Sequence, residues 1–511
     1  MKLKDLLDQN IIEFGEYPLL LFKNKAYTNV ETRQYADQLA AGLCDLGIEK
    51  GDRVIVCMPN CPEVLISYQG ITRAGAIIVP VMFTLHPKEL YYIALNSGAK
   101  AIITSTFVLP NVEKALEELP VKPQLLVTDK PTDEKWKNFY DVMVKRDRPI
   151  SIEGTSEDTA VILYTSGTTG NPKGVQLTHK NLVSNAENSA KHNERERGTT
   201  LGVLPLAHVY GLTVSNICFL TGSSIVVFSK FNVEEVFQAI EKYHVKGFSA
   251  VPAMIHAMLA YPGADNYDTS SLETVSSGSA PLPVALLHAF VHKFGAKVLE
   301  GYGLSEAAPI VTAHRKNMEI KPGSVGIPIP GVEIKIVDEN GQEVPTGEVG
   351  ELIVRGDNVT PGYYQNSEES MRVLQNSWLH TGDMARVDED GYLYIVDRKK
   401  DLIIRGGFNL YPRDVEEILN AHESVMEVAV VGIPDERMGE EMVACVVKKT
   451  GTDVTEEELI RYCREHLAKN KTPRHIVFLE SLPRNGVGKI LKTSLRKTAA
   501  DLVIQLPSNL T

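Results

Sequence analysis

Short apolar runs alternate with stretches of helical periodicity through most of the first four hundred residues, and that alternation limits the folds open to the chain. Val54-Ile55-Val56-Cys57-Met58 follows the Gly51-Asp52 turn and predicts a buried strand; residues 76–79 and 101–104 predict two more. Residues 62–73 and 87–96, between and around them, are amphipathic. Farther on, Asn232 is placed to cap a helix over residues 233–243, where Val236, Phe237, Ile240 and Tyr243 recur at helical spacing. A strand over 247–251 follows and Pro252 ends it. Strand–helix–strand order of this kind predicts parallel sheets covered by helices.

The texture changes after about Gly323. Residues 332–337, 350–355 and 392–396 read as short strands punctuated by Gly, Pro and Asn, which predicts a β-rich subdomain over about 323–396. From Val415 onward helix and strand alternate again over about a hundred residues. The run Asp397-Arg398-Lys399-Lys400-Asp401 lies between two apolar strands and suits a solvated linker, although a surface turn has the same composition. The expected class is therefore α/β. A large N-terminal domain of helix-covered sheets (1–396, with the β-rich subdomain) precedes a hinge at 397–401 and a small α+β domain at 402–511.

A chain of 511 residues supports this division, and a net charge of −12 argues against a general nucleic-acid binder while leaving room for a local basic groove. No apolar run approaches the roughly 20 residues of a membrane-spanning helix. The first eight residues mix acids into apolar positions, unlike a signal or transit peptide, and the last five carry no prenylation or peroxisomal signal. Cys44, Cys57, Cys61, Cys218, Cys445 and Cys463 lack metal-site spacing and read as reduced thiols. A cytoplasmic protein acting on small molecules is expected, with no nucleic-acid partner and no integral membrane segment.

The strongest local signal is Tyr164-Thr165-Ser166-Gly167-Thr168-Thr169-Gly170-Asn171-Pro172-Lys173-Gly174, directly after the apolar residues 160–163. Glycines and small hydroxyl residues let backbone N–H groups approach a polyphosphate, and Lys173 adds positive charge. The segment is not a Walker P-loop, since Pro172 precedes the lysine and Gly174 follows it. Farther along stand Glu300-Gly301-Tyr302-Gly303-Leu304-Ser305-Glu306, Thr381-Gly382-Asp383, Asp397-Arg398, and Asn485-Gly486-Val487-Gly488-Lys489-Ile490. Each is unremarkable alone. In this order, over nearly the whole chain, they resemble the adenylate-forming superfamily of acyl-CoA synthetases, luciferases and peptide-synthetase adenylation domains.

That resemblance implies the roles. Residues 165–170 and Lys173 hold the phosphates. Tyr302 stacks on adenine, with Ser279, Ala280, Glu300, Gly301, Gly303 and Ser305 around the nucleotide; Ser305 stands where threonine is commoner and keeps the hydroxyl. Glu306, with Thr165 nearby, holds Mg²⁺. Asp383 accepts the ribose diol and Arg398 contacts ribose or phosphate. Lys489 bridges the carboxylate and the α-phosphate during adenylation. Asp397 is the hinge about which a mobile C-terminal domain turns to present a thiol channel made of Lys399, Arg405, Gly406, Gly407 and Phe408; Gly406-Gly407 equally suits a hairpin turn. ATP, Mg²⁺ and coenzyme A are the implied cofactor and co-substrates, and the family occurs both as monomers and as homodimers.

Pro205-Leu206-Ala207-His208-Val209-Tyr210-Gly211 resembles the family's acyl-pocket segment, with His208 as a catalytic or substrate-contacting residue. Amino-acid-activating members carry an aspartate here, and Ala207-His208 has none. Ser276-Ser277-Gly278-Ser279-Ala280-Pro281-Leu282 resembles the loop meeting adenine and acyl group, with Ser277, Gly278 and Gly303 near the acid. With residues 406–413, the histidine segment looks most like bacterial fatty acyl-CoA ligases, which implies a medium- or long-chain fatty acid. An aryl or other carboxylic acid, an adenylase that loads a carrier protein, and a non-catalytic nucleotide-binding regulator stay open.

Overall fold

The computed structural model describes residues 1–146, 150, 152–165, 171–194, 196–484 and 490–504. The chain forms two compact units. One comprises Met1–Leu282, Leu286–Ile334 and Val354–Leu379; the other comprises Pro283–Ala285, Lys335–Ile353 and His380–Thr511. The strands expected over 323–396 are present as Val332–Val337, Gly350–Gly356 and Leu393–Arg398, and the segment is shared between the two units. The charged run at 397–401 falls inside the second unit.

The first unit is built on an eight-stranded sheet. Its order is Gly362–Tyr363, Lys173–Thr178, Thr159–Thr165, Ile77–Pro80, Arg53–Cys57, Ala101–Thr104, Gln124–Val127, Lys137–Asn138. From Thr159–Thr165 onward neighbouring strands run parallel. Ile55, Val79, Ile102 and Ile162 sit in one core with Leu90 and Ile93 of helix Pro87–Ser97 and Leu109 and Val112 of helix Leu109–Leu116. Burial on both faces accounts for unbroken apolar strands. A second sheet runs parallel through Gly247–Ala250, Thr274–Ser277 and Lys297–Gly303, then turns antiparallel through Ile310–Ala313 and Ile327–Pro328. Helix Val233–Tyr243 starts at Asn232, whose side chain accepts from the backbone N–H of Glu234 and Glu235, as the sequence predicts. A third sheet joins Thr199–Gly202, Ser224–Val227, Pro18–Phe22 and Lys25–Thr28.

In the second unit, strands Val425–Asp435 and Gly439–Lys448 pair antiparallel and carry helices on both faces. Val428 and Val430 pack with Val415, Leu419 and Leu459, while Ala429 and Val431 pack with Leu495 and Ala499. The two-residue period of a strand thus divides one apolar run between two cores. The charged run at 397–401 takes the form of a strand end and a surface turn, with Lys399 and Lys400 exposed. Asp397 and Arg398 complete the strand Leu393–Arg398, one 3₁₀ turn covers Lys399–Asp401, and Asp401 is buried on Arg496 at 2.9 Å. All six cysteines are free, with Cys44 and Cys61 partly exposed. Among the described residues no helix is long and apolar enough to cross a membrane.

The N-terminal helix Leu3–Phe14 is tied to the first unit by a buried histidine. The Leu3 N–H donates to His179 Nδ1 at 3.2 Å, and burial, reinforced by Lys2, lowers the His179 pKa from 6.5 to about 4. The folded state therefore keeps this imidazole neutral where the unfolded chain takes up a proton. Stability from His179 is complete above the unfolded pKa and is lost as pH falls from 6.5 toward 4. The loss amounts to about 3 kcal/mol at most. Denaturant unfolding at pH 7 and pH 4.5 should show a smaller difference for His179→Asn, which keeps an acceptor, than for the unmodified protein. The same difference in both proteins would remove His179 from the account.

Candidate active site

Strand Thr159–Thr165 continues two residues beyond the apolar core, so Tyr164 and Thr165 belong to it. It pairs antiparallel with Lys173–Thr178, and Thr165 stands opposite Lys173. The predicted phosphate segment is thus the connection of a hairpin. Ser166, Gly167, Thr168, Thr169 and Gly170 lie outside the described residues, whereas Thr165 and Lys173 mark its two roots. Strand Gly362–Tyr363 adds to the far side of Lys173–Thr178, with Tyr363 opposite Val175.

Strand Lys297–Gly303 carries the second motif. Glu300 is buried within it, and its carbonyl accepts from the His314 N–H at 2.9 Å. Gly301, Tyr302 and Gly303 pair antiparallel with Ile310–Ala313, which leaves Ser305 and Glu306 on a 3₁₀ turn at the tip. Gly303 is obligatory on packing grounds: a Cβ there would lie 2.3 Å from the Pro309 carbonyl oxygen. Buried amides clamp this tip. Asn358 Nδ2 donates to the Ala307 carbonyl at 2.9 Å, Asn185 Nδ2 to that of Ile310 at 2.7 Å, and the Thr360 N–H to that of Glu306 at 2.8 Å. The Tyr363 hydroxyl donates to Glu306 Oε1 at 2.8 Å, and burial followed by the Glu306 charge pushes the Tyr363 pKa up. Lys173 Nζ lies 2.6 Å from Glu369 Oε1 and 5.9 Å from the Tyr363 ring centroid.

The acyl-pocket segment meets these strands. His208 caps helix Val209–Thr221, its Nδ1 accepting from the Tyr210 N–H at 3.2 Å, which fixes the ring. Val209 is buried, and Gly211 packs so closely that a Cβ would lie 2.2 Å from the Pro205 carbonyl oxygen. A Cβ on Gly278 would lie 3.4 Å from the Tyr210 ring and 3.7 Å from the Gly301 carbonyl oxygen, so segments 205–211, 276–282 and 301–306 converge. Ser277 ends a buried strand, Ser279 has a left-handed backbone at φ +69°, and Ala280 is exposed.

The remaining expected residues lie in the second unit. Asp383 is buried and stands opposite Arg398 in an antiparallel pair, with Arg398 Nε 3.1 Å from Asp383 Oδ1. The Asp397 carboxylate accepts from the backbone N–H of Arg398 at 2.7 Å and of Arg413 at 3.0 Å, tying its strand to helix Pro412–Asn420; burial raises its pKa against Lys492. Lys399 Nζ pairs with Glu351 at 3.0 Å. Arg405 pairs with buried Glu441 and donates to the carbonyls of Asn470 at 3.0 Å and Thr472 at 3.1 Å. Gly406 and Gly407 form the two-residue turn between Ile403–Arg405 and Phe408–Leu410, at φ +57° and +83°. Both positive angles suit a type I′ hairpin and explain the paired glycines. Phe408 is exposed beside them. Lys489 lies outside the described residues.

Glu306 and Thr165 offer a carboxylate and a hydroxyl, hard oxygen donors that suit Mg²⁺. Among the described residues no cluster of three His, Cys, Asp or Glu is placed to hold a metal by itself. Tyr363, Glu369, Asn358 and Thr360, which surround Glu306 and Lys173, carry no local signature in the sequence. Only Asn181 and Asn185, four apart in helix His179–His192 and both buried, could have been noticed as polar residues on an inward face.

Comparison with known proteins places the whole chain in a family. Residues 7–364 match the AMP-binding enzyme family and residues 414–489 the AMP-binding enzyme C-terminal domain. The long-chain-fatty-acid–CoA ligase of Bacillus subtilis (strain 168) is 38% identical over 527 aligned positions, covering 96% of this chain and 94% of that protein. The 4-coumarate:CoA ligase 1 of Petunia hybrida is 34% identical, covering 96% and 93%. The crystal structure of the anthranilate CoA ligase AuaEII in complex with anthranoyl-AMP superposes with a TM-score of 0.91 at 30% identity, covering 99% of this chain and 98% of that one. With the site motifs in order on this fold, the chain belongs to the AMP-binding enzyme family and is an adenylate-forming acyl-CoA synthetase.

Proposed function

We propose that the protein activates a medium- or long-chain fatty acid and that it works in the cytoplasm. The observation that carries this is the convergence of Tyr210, Gly278 and Gly301, where Ala207-His208 brings no carboxylate to pair with a substrate ammonium. Similarity to the Bacillus subtilis ligase supports an aliphatic acid. An aryl acid is the second reading, supported by the petunia ligase and by the flat Tyr210 ring against Gly278.

In the first half-reaction a carboxylate oxygen attacks the α-phosphorus of ATP, the bond to the β-phosphate oxygen breaks, and pyrophosphate leaves with the electron pair. Both reactants are anionic, so cations must offset their repulsion. Lys173 is assigned to the polyphosphate and Lys489 to the carboxylate and α-phosphate. Asp383, oriented by Arg398, is assigned to the ribose diol. Mg²⁺ held by Glu306 and Thr165 would supply further charge neutralisation. In the second half-reaction the thiol of coenzyme A loses its proton and attacks the acyl carbon, and AMP leaves. Lys399, Arg405, Gly406, Gly407 and Phe408 are assigned to that thiol substrate; the ion pair of Arg405 with Glu441 gives it a structural duty as well.

Pyrophosphate release from ATP should be measured with acetate, octanoate, palmitate, benzoate and several amino acids, with and without coenzyme A. Steady release only with a fatty acid and coenzyme A together is expected. Release with benzoate alone would move the substrate to the aryl class, and release indifferent to coenzyme A would favour a carrier-protein acceptor. Lys489→Ala should lower acyl-adenylate formation by about 10²–10³-fold while thioester formation from supplied acyl-adenylate stays near normal. Equal loss of both steps would refute its assignment. A bulky residue at Gly407, where no atom lies within 4 Å of a new Cβ, should slow transfer to coenzyme A and leave single-turnover pyrophosphate release intact.

A further inference from the structure

Lys173 is already occupied. Its ammonium lies 2.6 Å from Glu369 Oε1, and both side chains are largely withdrawn from solvent, at 16% and 15% exposure. Glu369 sits in the first turn of helix Ser367–Val373, its backbone N–H donating to the capping Asn366 Oδ1 at 3.1 Å, which fixes the backbone that carries the carboxylate. The same carboxylate takes a two-pronged contact from Arg372: Nε to Oε2 at 2.8 Å and a terminal guanidinium nitrogen to Oε1 at 2.7 Å. Arg372, then Lys173, hold the Glu369 pKa down at about 2, so the group is ionised across the working range. Arg372 is 68% exposed.

We propose that Glu369 competes with the polyphosphate of ATP for Lys173, and that Arg372 sets the balance of that competition. This rests on the assignment of the 164–174 hairpin to the polyphosphate. A half-buried carboxylate abandoned by its only cation would be costly to leave unpaired. Here Lys173 can turn from Glu369 toward a bound phosphate because the guanidinium stays on both carboxylate oxygens. When pyrophosphate departs, Glu369 recaptures the ammonium. The device keeps Lys173 paired in both conditions and weakens the hold on ATP and pyrophosphate alike.

The measurement is calorimetric binding of MgATP without any acid, and of inorganic pyrophosphate, to the unmodified protein, Glu369→Gln and Arg372→Ala, with thermal unfolding of each. Glu369→Gln should tighten both ligands by about fivefold, because the rival anion is gone. Arg372→Ala should weaken both, by about two- to fivefold, because Glu369 then holds Lys173 harder. Arg372→Ala should have no effect once Glu369→Gln is present, and Glu369→Gln none on Lys173→Met. The opposite signs separate this from a structural role, which would weaken binding in both variants alongside a lower melting temperature. Weaker binding by Glu369→Gln would overturn the proposal and make Glu369 a residue that aims Lys173. No MgATP binding by the unmodified protein would instead overturn the assignment of the hairpin.

Discussion

The hydrogen-bond clamp on the turn around Glu306 is the constraint from which the rest of the first unit's site follows. The chain reverses between Gly303 and Ile310 inside the protein, and its carbonyls must be paired there or leave buried acceptors unsatisfied. Asn358, Asn185 and the Thr360 N–H supply those pairs, and Asn185 also accepts from the Ile310 N–H at 3.2 Å. Each bond adds about 1 kcal/mol, while a missing one costs about 1–3 kcal/mol, so alternative paths for the turn are disfavoured by several such losses together. The clamp fixes the backbone from which Glu306 projects, and the Tyr363 hydroxyl donates to its carboxylate. Because Tyr363 belongs to the short strand that pairs with Lys173–Thr178 and Thr360 stands just before it, the same clamp couples the carboxylate of one motif to the hairpin of another.

Features that depend on neighbours along the chain are legible in the sequence alone. Helix Pro62–Arg73 has the predicted bounds, Asn232 caps the predicted helix, and the strand at Ala101–Thr104 falls on its apolar run. Fold class follows from patterns of that kind, while the family follows from the resemblance of the motifs taken in order. Features that depend on pairing across the sheet are hidden. Gly362–Tyr363 is two residues long, too short for a period, and only its place beside Val175 and Gln176 gives Tyr363 a role. Glu369 reads as one acid in an acidic stretch until the helix cap turns it to Lys173. The charged run at 397–401 misleads for a related reason. Asp397 and Asp401 find backbone and guanidinium donors inside the second unit while Lys399 and Lys400 stay exposed, so the run mixes pairing with solvent.

The pairing has a consequence for how an acidic protein handles polyanions. Lys173 stands on Glu369, Arg398 on Asp383, Lys399 on Glu351 and Arg405 on Glu441, so each of these site cations has a carboxylate before any ligand arrives. Lys173 and Arg405, at 16% and 17% exposure, would be desolvated without compensation if unpaired, whereas Arg398 and Lys399 keep much of their water. Pairing avoids that cost inside each unit of this acidic chain, whose net charge is −12. On the proposed assignment of Lys173, binding a phosphate exchanges one anion for another instead of adding a new ion pair. The gain in free energy is the difference between two interactions of similar kind, which keeps affinity moderate. An enzyme that must release pyrophosphate and AMP in every cycle gains from that moderation, since interactions equally strong in substrate, intermediate and product do not speed turnover.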